Sequence, residues 1–152
     1  MGGASNVGCV VLRELEFSND ELKTLSDKID PTVDSPLQYY PLTKVGERFP
    51  VADANKQPVL EPVPESRKDF LHGLLQSIGD VEREGFGVLQ ELGAPPPTIV
   101  WTCGGGSRND VWSQLRERRL SEKFDSSDVK VRKAECTEAS FGAALLAAAT
   151  FS

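Results

Sequence analysis

The stretch "TIVWTCGGGSRNDVWSQLRERR", residues 98–119, decides the fold. A β-branched run from Thr98 to Thr102 meets Gly104, Gly105 and Gly106, and residues spaced like a helix follow from about Asn109 to Arg119. Three glycines forgo side-chain packing and cost backbone entropy. Something there needs the backbone close: a phosphate, a nucleotide or a neighbouring strand. A strand, a glycine turn and a helix start together offer unpaired N–H groups, a general arrangement for binding nucleotides. "GGGSRN" is not a P-loop, since no Gly-Lys-Ser/Thr follows. Nor is it the dinucleotide fingerprint, because Asn109 stands where the last glycine belongs. Taken alone, the turn reads equally well as a tight structural turn.

Downstream, "LSEKFDSSD" (120–128) is polar and reads as a loop, and "VKVRK" (129–133) alternates like a strand. Glu135–Thr137 leads into a last helix over about 138–150, with Thr137 as N-cap and Glu138 suited to the dipole. Ala139, Gly142, Ala143 and Ala147 give that helix a small-residue face. Strand, helix, strand, helix is the order of a parallel α/β unit with a right-handed crossover. The fold class is therefore α/β, with "TIVWT", a buried-type strand, and "VKVRK" as parallel neighbours. Trp101 and Trp112 read as core residues. "RERR", Arg116 to Arg119, reads as a solvated helix face.

Upstream, Val7, Val10, Val11 and Leu15 predict a short helix from about Ser5 that includes Gly8, with Ser5 and Asn6 as capping residues. "FSNDELKTLSDKI" predicts a second helix capped by Ser18, with Glu21 at the capping-box position. Seven prolines fall between residues 30 and 65 (Pro31, Pro36, Pro41, Pro50, Pro58, Pro62 and Pro64), which excludes a long helix there. An ordered, irregular excursion is expected. Within it, Glu47 and Arg48 read as a local ion pair. Ser66 then opens the longest helix, whose apolar residues recur at three- or four-residue steps from Phe70 to Leu92. Gly73, Gly79, Gly85 and Gly87 each lower its intrinsic propensity by about 1 kcal/mol against alanine. Tertiary packing must hold this helix, with another backbone close by. His72 lies near its apolar stripe and reads as a packed or surface residue.

With 152 residues and 39% hydrophobic content, one ordinary domain can be built. Net charge is −6 with no basic block, so nucleic acid is a poor partner. Cys9, Cys103 and Cys136 lack metal spacing, and His72 is the only histidine, which argues against a structural zinc or a Cys–His nucleophile. Three reduced thiols suit an intracellular compartment. The N-terminus shows neither a signal peptide nor a membrane span, and it enters a helix with no preceding element.

"GGASN" (2–6), "GERFPVADAN" (46–55), a long helix, "TCGGGSRNDVWSQL" and "ECTEASFGAALLAA" occur here in one order. Together they resemble the C-terminal half of the FGGY carbohydrate kinases, and in detail the xylulose/ribulose-kinase-like branch of plants and cyanobacteria. The resemblance covers nearly the whole of residues 1–152, the 30–65 excursion included. It implies the C-terminal lobe of an actin-like, ribonuclease-H-like ATPase fold, here lacking its first strands. It implies ATP and Mg²⁺ as cofactors and a pentulose-like sugar as substrate of the complete enzyme. By position, Gly104, Gly105 and Gly106 match the family's adenosine-contact turn, Asn109 its polar residue beside the nucleoside, and Gly8 a further glycine near the nucleotide. Beside the ion-pair reading, the resemblance suggests that Glu47 and Arg48 order the loop beside the cleft.

The family's catalytic Asp and sugar lobe would precede this chain. Asp20, Asp27, Asp53, Asp69, Asp80 and Asp110 have no claim to that role by motif, so no catalytic residue is assigned. The expectation is the ATP-binding half of a cytoplasmic or plastid-stromal sugar kinase, whether as a fragment, a short gene model or the partner of a separate N-terminal half. The alternative is a non-catalytic remnant that binds nucleotide weakly or binds a protein.

Overall fold

In chain order the elements are α1 (Val10–Glu14), α2 (Asn19–Ser26), α3 (Arg67–Glu91), β1 (Ile99–Thr102), α4 (Asp110–Lys123) and β2 (Lys130–Lys133). The structure, a computed structural model, describes residues 2–124 and 128–136. The helix expected over 138–150, with its Thr137 cap, lies outside the described residues.

Ser66 opens α3 as its composition predicts, its hydroxyl accepting the Asp69 N–H at 3.2 Å. Phe70, Leu71, Leu74, Leu75 and Ile78 are buried against Val11, Leu12, Phe17, Ile29, Tyr39 and Trp112, and this cluster is the main core. Ser18 caps α2 in the same way, accepting from the Glu21 N–H at 3.1 Å. Glu21 turns its own carboxylate to Arg67, 2.9 Å away.

The 30–65 excursion is irregular. Among the described residues its only ladder contacts are isolated antiparallel bridges, Tyr40 to Val59 and Glu47 to Asp53. Side chains of α3 give it order: Gln76 accepts from the Ser35 N–H at 2.8 Å and Ser77 from the Tyr39 N–H at 2.9 Å. This explains the helix glycines. A β-carbon at Gly73 would sit 2.6 Å from the Tyr39 ring, and one at Gly85 would sit 2.8 Å from the Phe49 ring. Gly79 and Gly87 instead face the Arg116 and Lys123 side chains at 3.4 and 3.2 Å, so side chains, not a second backbone, occupy the space the glycines leave.

The two strands are parallel neighbours, in register from Ile99 opposite Lys130 to Thr102 opposite Lys133. One face carries Val100 and Val131 onto Leu120, Phe124 and Val129. The other face carries Ile99 and Trp101, which no described residue buries. Trp101 is 64% exposed and Ile99 half exposed, so β1 is buried on one side only and Trp101 is no core residue. Trp112 is.

Three further expectations are corrected. The first helix starts at Val10, not Ser5, because Ser5 and Asn6 spend their polar groups on the 46–48 loop. Gly8 therefore lies before α1, its carbonyl accepting the Val11 N–H at 3.3 Å. α4 runs on to Lys123, because Leu120 and Phe124, one turn apart, are both buried. "RERR" is not a solvated face. Arg116 is 5% exposed and donates through its Nε to Glu82 at 2.7 Å and through Nη1 to Thr102 at 3.2 Å. Arg118 binds Asp34, Glu122 and the Pro31 carbonyl, while Arg119 binds Asp80, Asp34 and Glu122. The Arg118 guanidinium holds the Asp34 carboxyl below its ordinary range.

His72 is buried, and its Nε2 finds no partner among the described residues. Burial pushes its pKa down; Lys68 adds to this, while Asp69 and the Val33 backbone oppose it.

Removing Arg116 leaves Glu82 without its partner in a largely desolvated place. Arg116→Ala should cost about 3 kcal/mol, read as a lower urea midpoint at unchanged slope. His72 gives a pH signature. Its folded pKa lies below the unfolded value of about 6.5, so below that pH the unfolded chain binds the extra proton and stability falls. Urea unfolding at about pH 7.5 and about pH 5.5 should show that loss, and His72→Gln should reduce it.

Candidate nucleotide site

Two of the three glycines have a structural reason of their own. Gly104 sits at φ +76°, a conformation L side chains rarely adopt, and its carbonyl accepts from the Ser107 hydroxyl at 2.7 Å. Gly106 is pressed on the indole: a β-carbon there would meet Trp112 at 2.5 Å and the Cys9 sulfur at 3.3 Å. Gly105 has neither constraint. Its φ lies outside the left-handed region, and a β-carbon there would meet nothing within 4 Å. A single 3-10 turn, Gly105–Arg108, then delivers the chain to α4.

Asn109 caps α4. Its Oδ1 accepts the Trp112 N–H at 2.9 Å, and its Nδ2 donates to the buried Ser26 hydroxyl of α2 at 2.8 Å. One amide hydrogen remains for another partner.

Two hollows flank the turn. The larger, about 990 Å³, lies between α1–α2 and the turn; Cys9, Leu12, Ser26, Gly105, Gly106 and Asn109 are among its walls. The smaller, about 450 Å³, is bounded by Ser5, Cys9, Phe49, Gly105, Gly106 and Arg116, among others. Gly105, Gly106 and Asn109, three of the residues singled out from the sequence, thus line the larger hollow. Gly104 shapes the turn without lining either. Gly8 lines neither, although its neighbour Cys9 lines both.

Residues 5–151 match the C-terminal domain of the FGGY family of carbohydrate kinases. The chain belongs to that family. Over 106 residues it is 31% identical to a xylulose kinase of Bacillus subtilis (strain 168), which covers 68% of this chain and 20% of that protein. The chain therefore spans about 20% of the length of this curated relative. An α/β domain with a small parallel sheet is consistent with this FGGY domain. Among the described residues no helix is long and apolar enough to cross a membrane. No group of three His, Cys, Asp or Glu that could hold a metal ion occurs among them either.

Glu47 of this FGGY domain is the residue that sequence reasoning misjudged. It is no partner of the Arg48 guanidinium, whose Nε goes to Asn6 Oδ1 at 2.7 Å. Glu47 is 3% exposed, and its carboxylate accepts from the Ser5 hydroxyl at 2.7 Å and the Asn6 N–H at 2.6 Å. Burial pushes its pKa up, but the hydrogen bonds from Asn6, Ser5 and Arg48 outweigh that and leave it below the ordinary value. Tyr40 donates to the same carboxylate, and burial together with that charge pushes the phenol up to about 12. Ser5 and Asn6 are accordingly not helix caps. The partners lie more than 40 positions apart in sequence, so no local pattern announces them. The only signal was "GER" itself, one of the stretches that carry the family likeness.

Gly105→Ala and Gly106→Ala should separate by unfolding measurements. The first should leave stability unchanged or raise it by up to about 1 kcal/mol. The second should cost about 1–3 kcal/mol, because the Trp112 ring must move.

Proposed function

We propose that this FGGY domain holds the adenosine end of ATP for a kinase of pentulose-like sugars, xylulose or ribulose. The observation that carries the reading is Gly105. It is bare where neither backbone conformation nor packing requires bareness, and it faces a hollow large enough for a nucleoside. The likeness to a xylulose kinase supports the sugar class. In this reading the domain belongs to an actin-like ATPase fold and to the plant and cyanobacterial branch of the family.

The nucleoside lies along Gly105 and Gly106 in the larger hollow. Asn109 offers its second amide hydrogen at the edge and Gly104 sets the turn, while Gly8 stands next to Cys9, which lines the hollow. The walls mix apolar surface from Leu12, Val111 and Trp112 with polar side chains such as Ser26, Arg108 and Asn109, a base and a ribose needing both. Mg²⁺ accompanies the phosphates, for which the described residues offer no carboxylate cluster. When bound, ATP supplies the phosphoryl group for in-line transfer. This chain's residues contribute binding and orientation. No carboxylate here is proposed as the base, and the sugar site and base belong to an N-terminal half acting as partner.

Calorimetric titration of the full chain with ADP and with ATP–Mg²⁺ should show saturable binding. Gly105→Val should weaken it at least about tenfold with an unchanged unfolding midpoint. Wild-type affinity in that variant, or no binding by the folded chain, refutes the site. Xylulose and ribulose should be phosphorylated only when the chain is mixed with the N-terminal half of the family; turnover by the chain alone refutes the division of labour.

A further inference from the structure

Both oxygens of Glu47 are fully used. Oε1 accepts from the Asn6 N–H at 2.6 Å and the Arg48 N–H at 2.8 Å. Oε2 accepts from the Ser5 hydroxyl at 2.7 Å and the Tyr40 hydroxyl at 3.2 Å. Four donors converging on one buried group call for a carboxylate, which only accepts and forms charge-assisted bonds. The group is held from behind. The Glu47 and Asp53 backbones exchange bonds of 2.8 and 3.0 Å, and the Gly46 N–H reaches the Lys56 carbonyl at 2.8 Å.

What Glu47 holds is a segment with no regular structure of its own. The Ser5 hydroxyl also accepts the Val7 N–H at 2.9 Å, and Asn6 Nδ2 donates to the Gly46 carbonyl at 3.0 Å. Two residues after Val7 comes Cys9, whose sulfur is 3.3 Å from the place a Gly106 β-carbon would take. Cys9 lines both hollows together with Gly105 and Gly106. The excursion, the N-terminal segment and the glycine turn thus form one chain of contacts.

We propose that Glu47 is a positioning residue: it clasps residues 5–9 so that Cys9 is set against the glycine turn and walls the nucleoside hollow. The nucleotide part of this rests on the function proposed above. The clasp itself does not.

Cys9 reports on it directly. Its thiol is half-buried and burial pushes its pKa up, whereas Cys103 and Cys136 are exposed. Titrating the full wild-type chain with dithionitrobenzoate should therefore show two fast thiols and one slow one. In Glu47→Ala the slow thiol should react at least about tenfold faster, and ADP affinity should fall about tenfold. Glu47→Gln keeps an acceptor for the two N–H groups and should restore most of the protection. Ser5→Ala removes only the bridge between Glu47 and Val7, and should give an intermediate rate even where Glu47→Ala proves too unstable to isolate. Unchanged Cys9 rates in folded Glu47→Ala or in Ser5→Ala overturn the clasp, whatever nucleotide does. Faster Cys9 with unchanged ADP affinity overturns the positioning role. A wild-type chain that shows the protected thiol but binds no ADP refutes the nucleotide reading, and with it the positioning role, while the clasp stands.

Discussion

The indole of Trp112 is where the two halves of this structure are joined. Its Nε1 donates to the Leu75 carbonyl of α3 at 2.9 Å and, with the Arg116–Glu82 and Arg119–Asp80 pairs, ties α4 to α3. One side of the ring receives the Arg116 guanidinium, centred 4.9 Å from it. Against another part of it lies Gly106, with no room for a methyl group. Burying such a ring is worth about 3–5 kcal/mol judged by truncation to alanine. Its backbone N–H is capped by Asn109, so the same residue that orients the glycine turn also starts the helix behind it. The position of the turn, and of both hollows beside it, follows from where this ring sits.

Local physics made much of this legible in the sequence. Ser18 and Ser66 cap their helices because a hydroxyl three residues before an N–H needs no tertiary context. The prolines exclude a helix from 30–65 by removing donors and fixing φ, wherever that segment ends up. The parallel pairing of β1 with β2 follows from the strand–helix–strand order, since a crossover helix returns the chain in the same direction. Even the turn was readable as special, because three consecutive glycines have few local explanations.

The failures share a cause. Arg116, Arg118 and Arg119 look solvated when only their neighbours on α4 are considered, yet their partners Glu82, Asp80 and Asp34 come from α3 and the excursion. Glu47 looks paired with Arg48 until residues 5 and 6 arrive from the other end of the chain. The end of α4 was misplaced because Leu120 and Phe124 stand among polar residues, and only the strands they cover reveal that they are core. Trp101 failed in the opposite sense: its apolarity suggested burial, but strand alternation turns it away from Val100. Trp101 apart, a short-range pattern is overruled in each case by a long-range partner.

That same distinction separates structure from function within the glycine turn. Gly104 is explained by its own dihedral angle and Gly106 by the Trp112 ring, so neither needs a ligand to account for it. Gly105 is different, because folding this chain does not use its bareness. A glycine costs backbone entropy in the unfolded chain, about 0.5–1 kcal/mol against alanine, and the fold returns nothing for it here. A residue whose cost the fold leaves uncompensated is compensated by what binds to it, if by anything. The opening motif therefore divides into two glycines that the fold requires and one, Gly105, whose bareness only the proposed nucleoside would use.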